Sequence, residues 1–386
     1  MDRYGEIDGT HSPRELRIGV DVSSLSAPMA GIGRYVKELL SRLTQMQYEW
    51  FLYSCEPLYD ANLSGLKVNF RILQKPEWMP RALWFQSLLP MQLHYDRIDL
   101  FWCPAHRLPL FLPKAVKRVV TIHDLVWRHA PNSMRIKGLL LDRLLMPHAL
   151  RSSDRIIAVS KSTSNDIVSE FPRLDIDIDV IGLGASHLLQ QTRQNDAKAL
   201  HNNLISTPYF LFVGTLEPRK NLARLIEAFS LLPSDCRGGL SLVIVGGNGW
   251  GRVKPQDLGV KFGVSKNLVV LNRVSDAELT HLYKNCICLT LPSLYEGFGL
   301  PIIEAMANGA PVLTSNLSSM PEVAGSAAIL VDPYDTTSIT DGLSKILNNE
   351  VQLRLRKAAI INSQRYSWDV AAVSTLSIFQ ELLSAS

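Results

Sequence analysis

A chain of 386 residues, 46% hydrophobic and 20% charged, is too long for one core and too apolar for disorder, so two globular domains are expected. A formal net charge of +4 is too small for the footprint of a nucleic-acid binder, although an anionic lipid-linked substrate or membrane surface stays compatible with it. Five cysteines, an odd number scattered through apolar runs, point to a reducing compartment, and Cys286 with Cys288 lacks the second Cys or His pair of a zinc site.

Residues 1–15 have no periodic pattern and read as a flexible leader without the apolar core of a signal peptide. No apolar run is long enough to span a bilayer, so a cytoplasmic protein is expected, with the cytoplasmic face of the membrane as a peripheral contact. Strands are expected at 17–22, 50–54, 68–73, 100–103, 118–122, 155–160 and 178–181, with helices at 31–43, 83–95, 137–150 and 162–171. Nearly continuous apolar strands alternating with helices predict a parallel sheet covered on both faces, which makes 16–185 one doubly wound α/β domain. Residues 186–206 are polar and read as a linker. A second alternation fills 207–365, with strands at 209–213, 240–245, 268–271, 286–291, 311–314 and 328–331. Helices are expected there at 222–232, 276–284, 341–347 and 351–363, and a closing amphipathic helix lies within 366–386. Two such domains place a ligand cleft between the carboxyl edges of their sheets.

The stretch at 293–309, SLYEGFGLPIIEAMANG, organises the second half. Gly297 and Gly299 let the backbone turn and come close to a ligand, Pro301 suits the first position of a helix, and Gly309 suits its left-handed cap. A helix N-terminus after a glycine loop favours a phosphate, whereas Glu296 and Glu304 flank it with carboxylates. The ligand should therefore be anionic in the middle and hydroxylated at both ends, as a nucleotide-sugar is.

Other motifs fall at the same edges. Gly31-Ile32-Gly33 opens a helix after the first strand but has Val36 where a dinucleotide fingerprint has its third glycine, so a nicotinamide site is not expected. What remains there is a phosphate-facing turn or a plain tight turn. His123 ends a strand and could either bond Asp124 or a backbone carbonyl, or donate to a sugar hydroxyl. Arg219 and Lys220, in Gly214–Asn221, are either ordinary surface charges on a solvated turn or, as their place at a strand's carboxyl edge favours, cations suited to a diphosphate. The turn at 245–251, VGGNGWG, and the segment at 271–276 with Val274 carry weaker signals, Ser275 or Asp276 being a helix cap. Trp78, Met79, Leu83, Trp84, Leu88 and Leu89 crowd one segment that is either core or, with Lys75 and Arg81, a membrane-facing surface.

With both halves in view the chain resembles glycosyltransferase family 4, retaining enzymes with two Rossmann-like domains, the GT-B fold. The resemblance rests on Glu296 and Glu304 spaced eight apart around GFGLPIIEA, supported by GIGRY at Gly31, HD at His123, EPRKN at Glu217 and VSD at Val274. It implies that Gly31, Gly33 and their turn face the donor phosphates and that His123 bonds the donor sugar, stabilising positive charge through its own carbonyl. It further implies that Lys220 meets the diphosphate, Glu296 the sugar hydroxyls and Glu304 the ribose. Gly297 and the N–H groups of Phe298, Gly299 and Leu300 would complete the cradle, and the last helix would cross back to the first domain. Thr215 and Gly214 stand where many members carry a second diphosphate-binding arginine, a role Arg219 could take.

The expected reaction moves a hexose from a nucleotide-sugar to a saccharide or lipid-linked saccharide with retained configuration. No metal or cofactor is needed in principle, because Lys220 and the helix end carry the leaving-group charge. The EPRKN variant is similar to bacterial O-antigen and exopolysaccharide mannosyl- and rhamnosyltransferases, which makes GDP-mannose the leading donor. A UDP- or dTDP-sugar-dependent enzyme, a nucleotide-sugar epimerase on the same fold, and a non-catalytic partner subunit are the alternatives.

Overall fold

The computed structural model describes residues 14–28, 31–59, 63, 67–185, 205, 207–247, 249 and 254–385. The leader at 1–15 and the linker at 186–206 thus lie almost wholly outside the described residues, as do Asn248, Trp250 and Gly251 of the second glycine turn.

Strands β1 (Arg17–Asp21), β2 (Glu49–Ser54), β3 (Val68–Ile72), β4 (Leu100–Cys103), β5 (Lys117–Ile122), β6 (Arg155–Ala158) and β7 (Ile178–Val180) form one sheet in the order β3-β2-β1-β4-β5-β6-β7. Strands β8 (Tyr209–Val213), β9 (Ser241–Val245), β10 (Leu268–Leu271), β11 (Cys288–Leu291), β12 (Val312–Ser315) and β13 (Ala328–Val331) form the other, ordered β10-β9-β8-β11-β12-β13. Every strand pairing is parallel. In each sheet the chain winds outward one way, then returns to the centre and winds the other way. The two reversals fall between β1 and β4 and between β8 and β11. Crevices at such reversals are where ligands bind in doubly wound sheets.

Helices α1 (Gly31–Leu43), α2 (Arg81–Tyr95), α3 (Val126–His129), α4 (Ile136–Ser152) and α5 (Lys161–Glu170) belong to the first half. The second half carries α6 (Leu222–Ser230), α7 (Ser234–Arg237), α8 (Pro255–Lys261), α9 (Asp276–Asn285), α10 (Leu300–Ala307), α11 (Met320–Ala324), α12 (Thr336–Ile346) and α13 (Asn349–Ser363). The short α3, α7, α8 and α11 were not expected, because four to seven residues are too few for a helical period to register. Pro301 sits one residue into α10, which starts at Leu300 with Gly299 as its left-handed N-cap, φ 90°. Gly309 takes the left-handed conformation expected of it, φ 73°.

The last helix, α14 (Trp368–Ser384), follows the second half in sequence but packs on the first. Trp368 lies tilted against Tyr35 and Phe379 against Trp102, with ring centroids 6.2 and 5.7 Å apart. Arg42 donates to Asp369 at 2.5 Å, and Arg155 to Glu381 at 2.9 Å. This crossing needs Gly184 just after β7, where a Cβ would lie 2.2 Å from the Trp368 backbone nitrogen. One apolar cluster consequently runs from the α1 side of the first sheet through α14 into the second half, and a separate one fills the other face of the first sheet.

Candidate active site

The reversal between β8 and β11 brings two turns together. After β8, Asn221 adopts φ 60° and its side-chain amide donates to the carbonyls of Pro292 and Pro333, at 3.0 and 2.7 Å. That ties the Pro218–Lys220 turn to the end of β11, and with it Arg219 and Lys220 to the glycine loop. Lys220 Nζ donates to Glu296 Oε1 at 2.6 Å, Ser293 Oγ to the same oxygen at 2.7 Å, and Arg219 Nη1 to Oε2 at 2.7 Å. Arg219 also donates to Glu217 at 3.0 Å and to the Tyr295 carbonyl at 3.2 Å.

Glu296 and Lys220 are 5% and 7% exposed, so this is a buried ionic cluster. Burial alone would raise the Glu296 carboxyl, but Arg219 and Lys220 outweigh it and bring it down to about 2. For Lys220 burial wins and lowers the ammonium, Glu296 opposing. Burial also disfavours the Arg219 charge, yet Glu296 and Glu217 raise it. The cluster holds two cations against two carboxylates. Arg219, the expected substitute for the arginine missing at 214–215, is therefore already held by Glu217 and Glu296.

Glu304 sits in the second turn of α10, buried, where Tyr283 Oη on α9 donates to its Oε2 at 3.0 Å. Burial together with that carboxylate holds the Tyr283 phenol well above its ordinary range. Among the described residues none accepts from the N–H of Phe298, Gly299 or Leu300 at the head of α10. Gly31 opens α1 with its Cα open to surroundings, Gly33 is buried within the same helix, and Val274 packs on the main core beside the Ser275–Glu278 capping box.

His123 follows β5 at the facing edge. Its Nε2 lies 2.8 Å from the Pro104 carbonyl, which can only accept, so Nε2 carries the proton. Burial, and then His106 nearby, push the ring down to about 3, so it is neutral and Nδ1 presents a lone pair. The bond to a backbone carbonyl is the first of the two arrangements expected of His123 from the sequence, and with Nε2 so engaged the ring is left only an acceptor, Nδ1, for a hydroxyl.

The close approach expected of Gly297 is to the other half of the protein. A Cβ there would lie 1.6 Å from the His123 carbonyl oxygen. The Gly297 carbonyl accepts from Ser160 Oγ at 2.6 Å and Thr163 Oγ1 at 3.1 Å. Tyr295 Oη donates to Asp166 at 2.7 Å and accepts from the Leu125 N–H at 3.1 Å. Glu322 accepts from the N–H groups of Lys161 and Ser162 at the head of α5, at 2.9 and 3.1 Å. At the far end Arg34 makes a two-pronged pair with Asp276, 2.8 and 2.6 Å. Sequence reasoning gave no role to Arg34, Ser160, Thr163, Tyr283 and Tyr295; only Arg34 and Tyr295 lie inside motifs already singled out, GIGRY and the stretch at 293–309. Among the described residues no three His, Cys, Asp or Glu side chains converge as a metal site.

A family model described as Glycosyltransferase Family 4 matches residues 29–226, just over half of the chain. The chain belongs to glycosyltransferase family 4. A second model, Glycosyl transferases group 1, matches residues 195–366 of this family 4 enzyme. The glycosyltransferase is 28% identical over 370 residues to O-antigen chain mannosyltransferase B of Escherichia coli, covering 92% of this chain and 97% of that one. Its fold matches sucrose-phosphate synthase from Thermosynechococcus elongatus, with TM-score 0.78 at 20% identity over 96% of this chain and 100% of that one. It also matches Anabaena Alr3699/HepE, solved with UDP-glucose, with TM-score 0.73 at 18% identity over 94% and 100%. The two parallel sheets are those of the GT-B fold.

Proposed function

We propose that this glycosyltransferase moves mannose from GDP-mannose to a saccharide or lipid-linked saccharide acceptor, with retained configuration, in bacterial surface polysaccharide synthesis. The observation that carries the reading is the nearly end-to-end similarity to the Escherichia coli O-antigen mannosyltransferase, combined with an intact Lys220–Glu296 pair and Glu304. In this account Glu304 holds the ribose and the N–H groups of Phe298, Gly299 and Leu300 meet the diphosphate. Lys220 and Arg219 offset charge on the departing phosphate, and Glu296 holds sugar hydroxyls. The bond from the anomeric carbon to phosphate breaks while the acceptor oxygen bonds to the same face. The acceptor's proton leaves with the phosphate oxygen.

Contact with the cytoplasmic membrane surface belongs to the same proposal. The crowded segment divides, Trp84 and Leu89 being buried while Trp78 is 74% exposed. Leu83, Leu110, Phe111, Ile136, Leu140 and Leu144 are also exposed, on segments joined by Gln86–Leu110 and Arg107–Asp142 hydrogen bonds. Among the described residues no helix is long and apolar enough to cross a membrane.

A panel of GDP-, UDP- and dTDP-sugars, read by thermal shift and by donor turnover, tests the reading. GDP-mannose should give the largest shift and release GDP. Preference for UDP-glucose, the ligand in the Anabaena structure, would overturn the donor assignment. Recovery of an epimeric sugar from a donor without any acceptor would indicate an epimerase, and no response to any donor a non-catalytic subunit.

A further inference from the structure

The first sheet has a reversal of its own, between β1 and β4, and polar groups collect there that donor binding does not use. β1 ends at Asp21, β4 at Cys103, and β5 at Ile122 just before His123. Because β1 adjoins β4 and β4 adjoins β5, Asp21, the turn after Cys103 and His123 follow one another along one edge. Asp21 is 6% exposed, and among the described residues no cation pairs with it. Its Oδ1 accepts from the Ser23 N–H at 3.0 Å, and Oδ2 has the Cys103 thiol, a weak donor, at 3.8 Å. Ser23, 1% exposed, has a hydroxyl with no protein partner, and the buried Nδ1 of His106 has none either. His106 holds φ 64°, unusual for a residue with a side chain, and this turn sets its ring 5.3 Å from that of His123.

Burying a carboxylate with one amide and a thiol, a bare hydroxyl and a bare imidazole nitrogen in adjacent turns is unfavourable unless something polar completes them. We propose that Asp21, Ser23 and His106 form the subsite for hydroxyl groups of an acceptor hexopyranoside, next to the reacting end marked by His123. The carboxylate accepts from sugar hydroxyls and repels phosphate, so a lipid-linked acceptor would present its neutral sugar here and keep its anionic group away. The subsite rests on the glycosyl-transfer reading for its role, but not on the identity of the donor.

Octyl α-D-mannopyranoside serves as the probe, with binding to the full chain followed by saturation-transfer NMR in the presence of GDP. Wild type should bind it, Asp21→Asn should weaken binding at least tenfold, and Ser23→Ala a few-fold. His106→Asn, which tolerates the left-handed turn, should also weaken it. Thermal shift by the preferred donor should be unchanged in all three variants, a result that a merely misfolded edge would not give. Failure of wild type to bind the probe, or equal binding by Asp21→Asn, overturns the subsite. Probe binding that fades in the variants, in a protein that answers to no donor, would instead sink the transferase reading and leave the subsite standing.

Discussion

Replacing Gly297 by Ala should separate domain docking from nucleotide binding. The added Cβ would lie 1.6 Å from the His123 carbonyl oxygen and 2.9 Å from the Asp124 Cβ. Ordinary contact begins near 3.4 Å, so the two halves must part by about 1.8 Å along that line. A movement of that size takes the Ser160 and Thr163 hydroxyls, now at 2.6 and 3.1 Å, out of reach of the Gly297 carbonyl. Lys220, Arg219, Glu296 and Glu304 all lie in the second half and keep their mutual contacts. Affinity for GDP should therefore stay within about twofold, whereas a misplacement of 1 Å or more between reacting groups costs roughly 100-fold in kcat/KM. Steady-state kinetics with the preferred donor, beside GDP titration by thermal shift, tests this. A Gly297→Ala enzyme within threefold of wild-type kcat/KM would refute the reasoning, as would a parallel collapse of GDP affinity.

Glu296, held at about 2 in the fold against an ordinary 4.5, should add on the order of 3 kcal/mol of stability above pH 4.5 that is lost as pH falls towards 2. Glu296→Ala should remove that acid dependence and cost roughly 3–5 kcal/mol at pH 7 by stranding Lys220 and Arg219; urea melts from pH 7 to 3 would show an unchanged slope if this is wrong. His123, lowered to about 3, stays neutral while the unfolded chain takes up its proton below 6.5, so it should cost stability as pH falls from 6.5 towards 3. Nitrogen-15 shifts should find Nδ1 bare and no titration between pH 5 and 8, and a midpoint near 6.5 would contradict the buried geometry. For the Arg34–Asp276 clamp, Arg34→Ala and Asp276→Ala should each lower kcat/KM about tenfold and the double variant no further; additive losses would show that the pair does not act as one unit.

Apolar runs made the fold legible, because a buried parallel strand such as Tyr209–Val213 is apolar on both faces and bounded by polar turns. Long helices were mostly as plain, and α1 falls on the residues expected of it, but α12 starts at Thr336, five residues before the expected 341, because its polar first turn, TTSIT, carries little apolar period. The loop around Glu296 was visible as a motif, since glycines and a helix start leave a local signature. Its partners were not. Ser160, Thr163 and Asp166 lie more than 120 residues from Gly297 and Tyr295, and no local pattern ties a serine capping one helix to a carbonyl on a distant loop. Gly297 illustrates the difference: the residue type announced a close approach, but only the folded chain tells that the approach is to the His123 carbonyl.

The cluster around Glu296 also bears on how donor recognition and leaving-group stabilisation would be linked. Lys220 and Arg219 are neutralised by Glu296 and Glu217, so a diphosphate arriving alone meets little net positive charge. Two features could still draw the phosphates: the N–H groups at the head of α10, and any cation released from Glu296. On the proposed reading the donor's hexose supplies that release, because each sugar hydroxyl that donates to Glu296 competes with Lys220 Nζ for the same carboxylate oxygens. The ammonium then gains freedom to follow the charge as the bond to phosphate breaks. Full electrostatic assistance would thus develop only with the sugar in place, which is where differential stabilisation of the transition state has to come from.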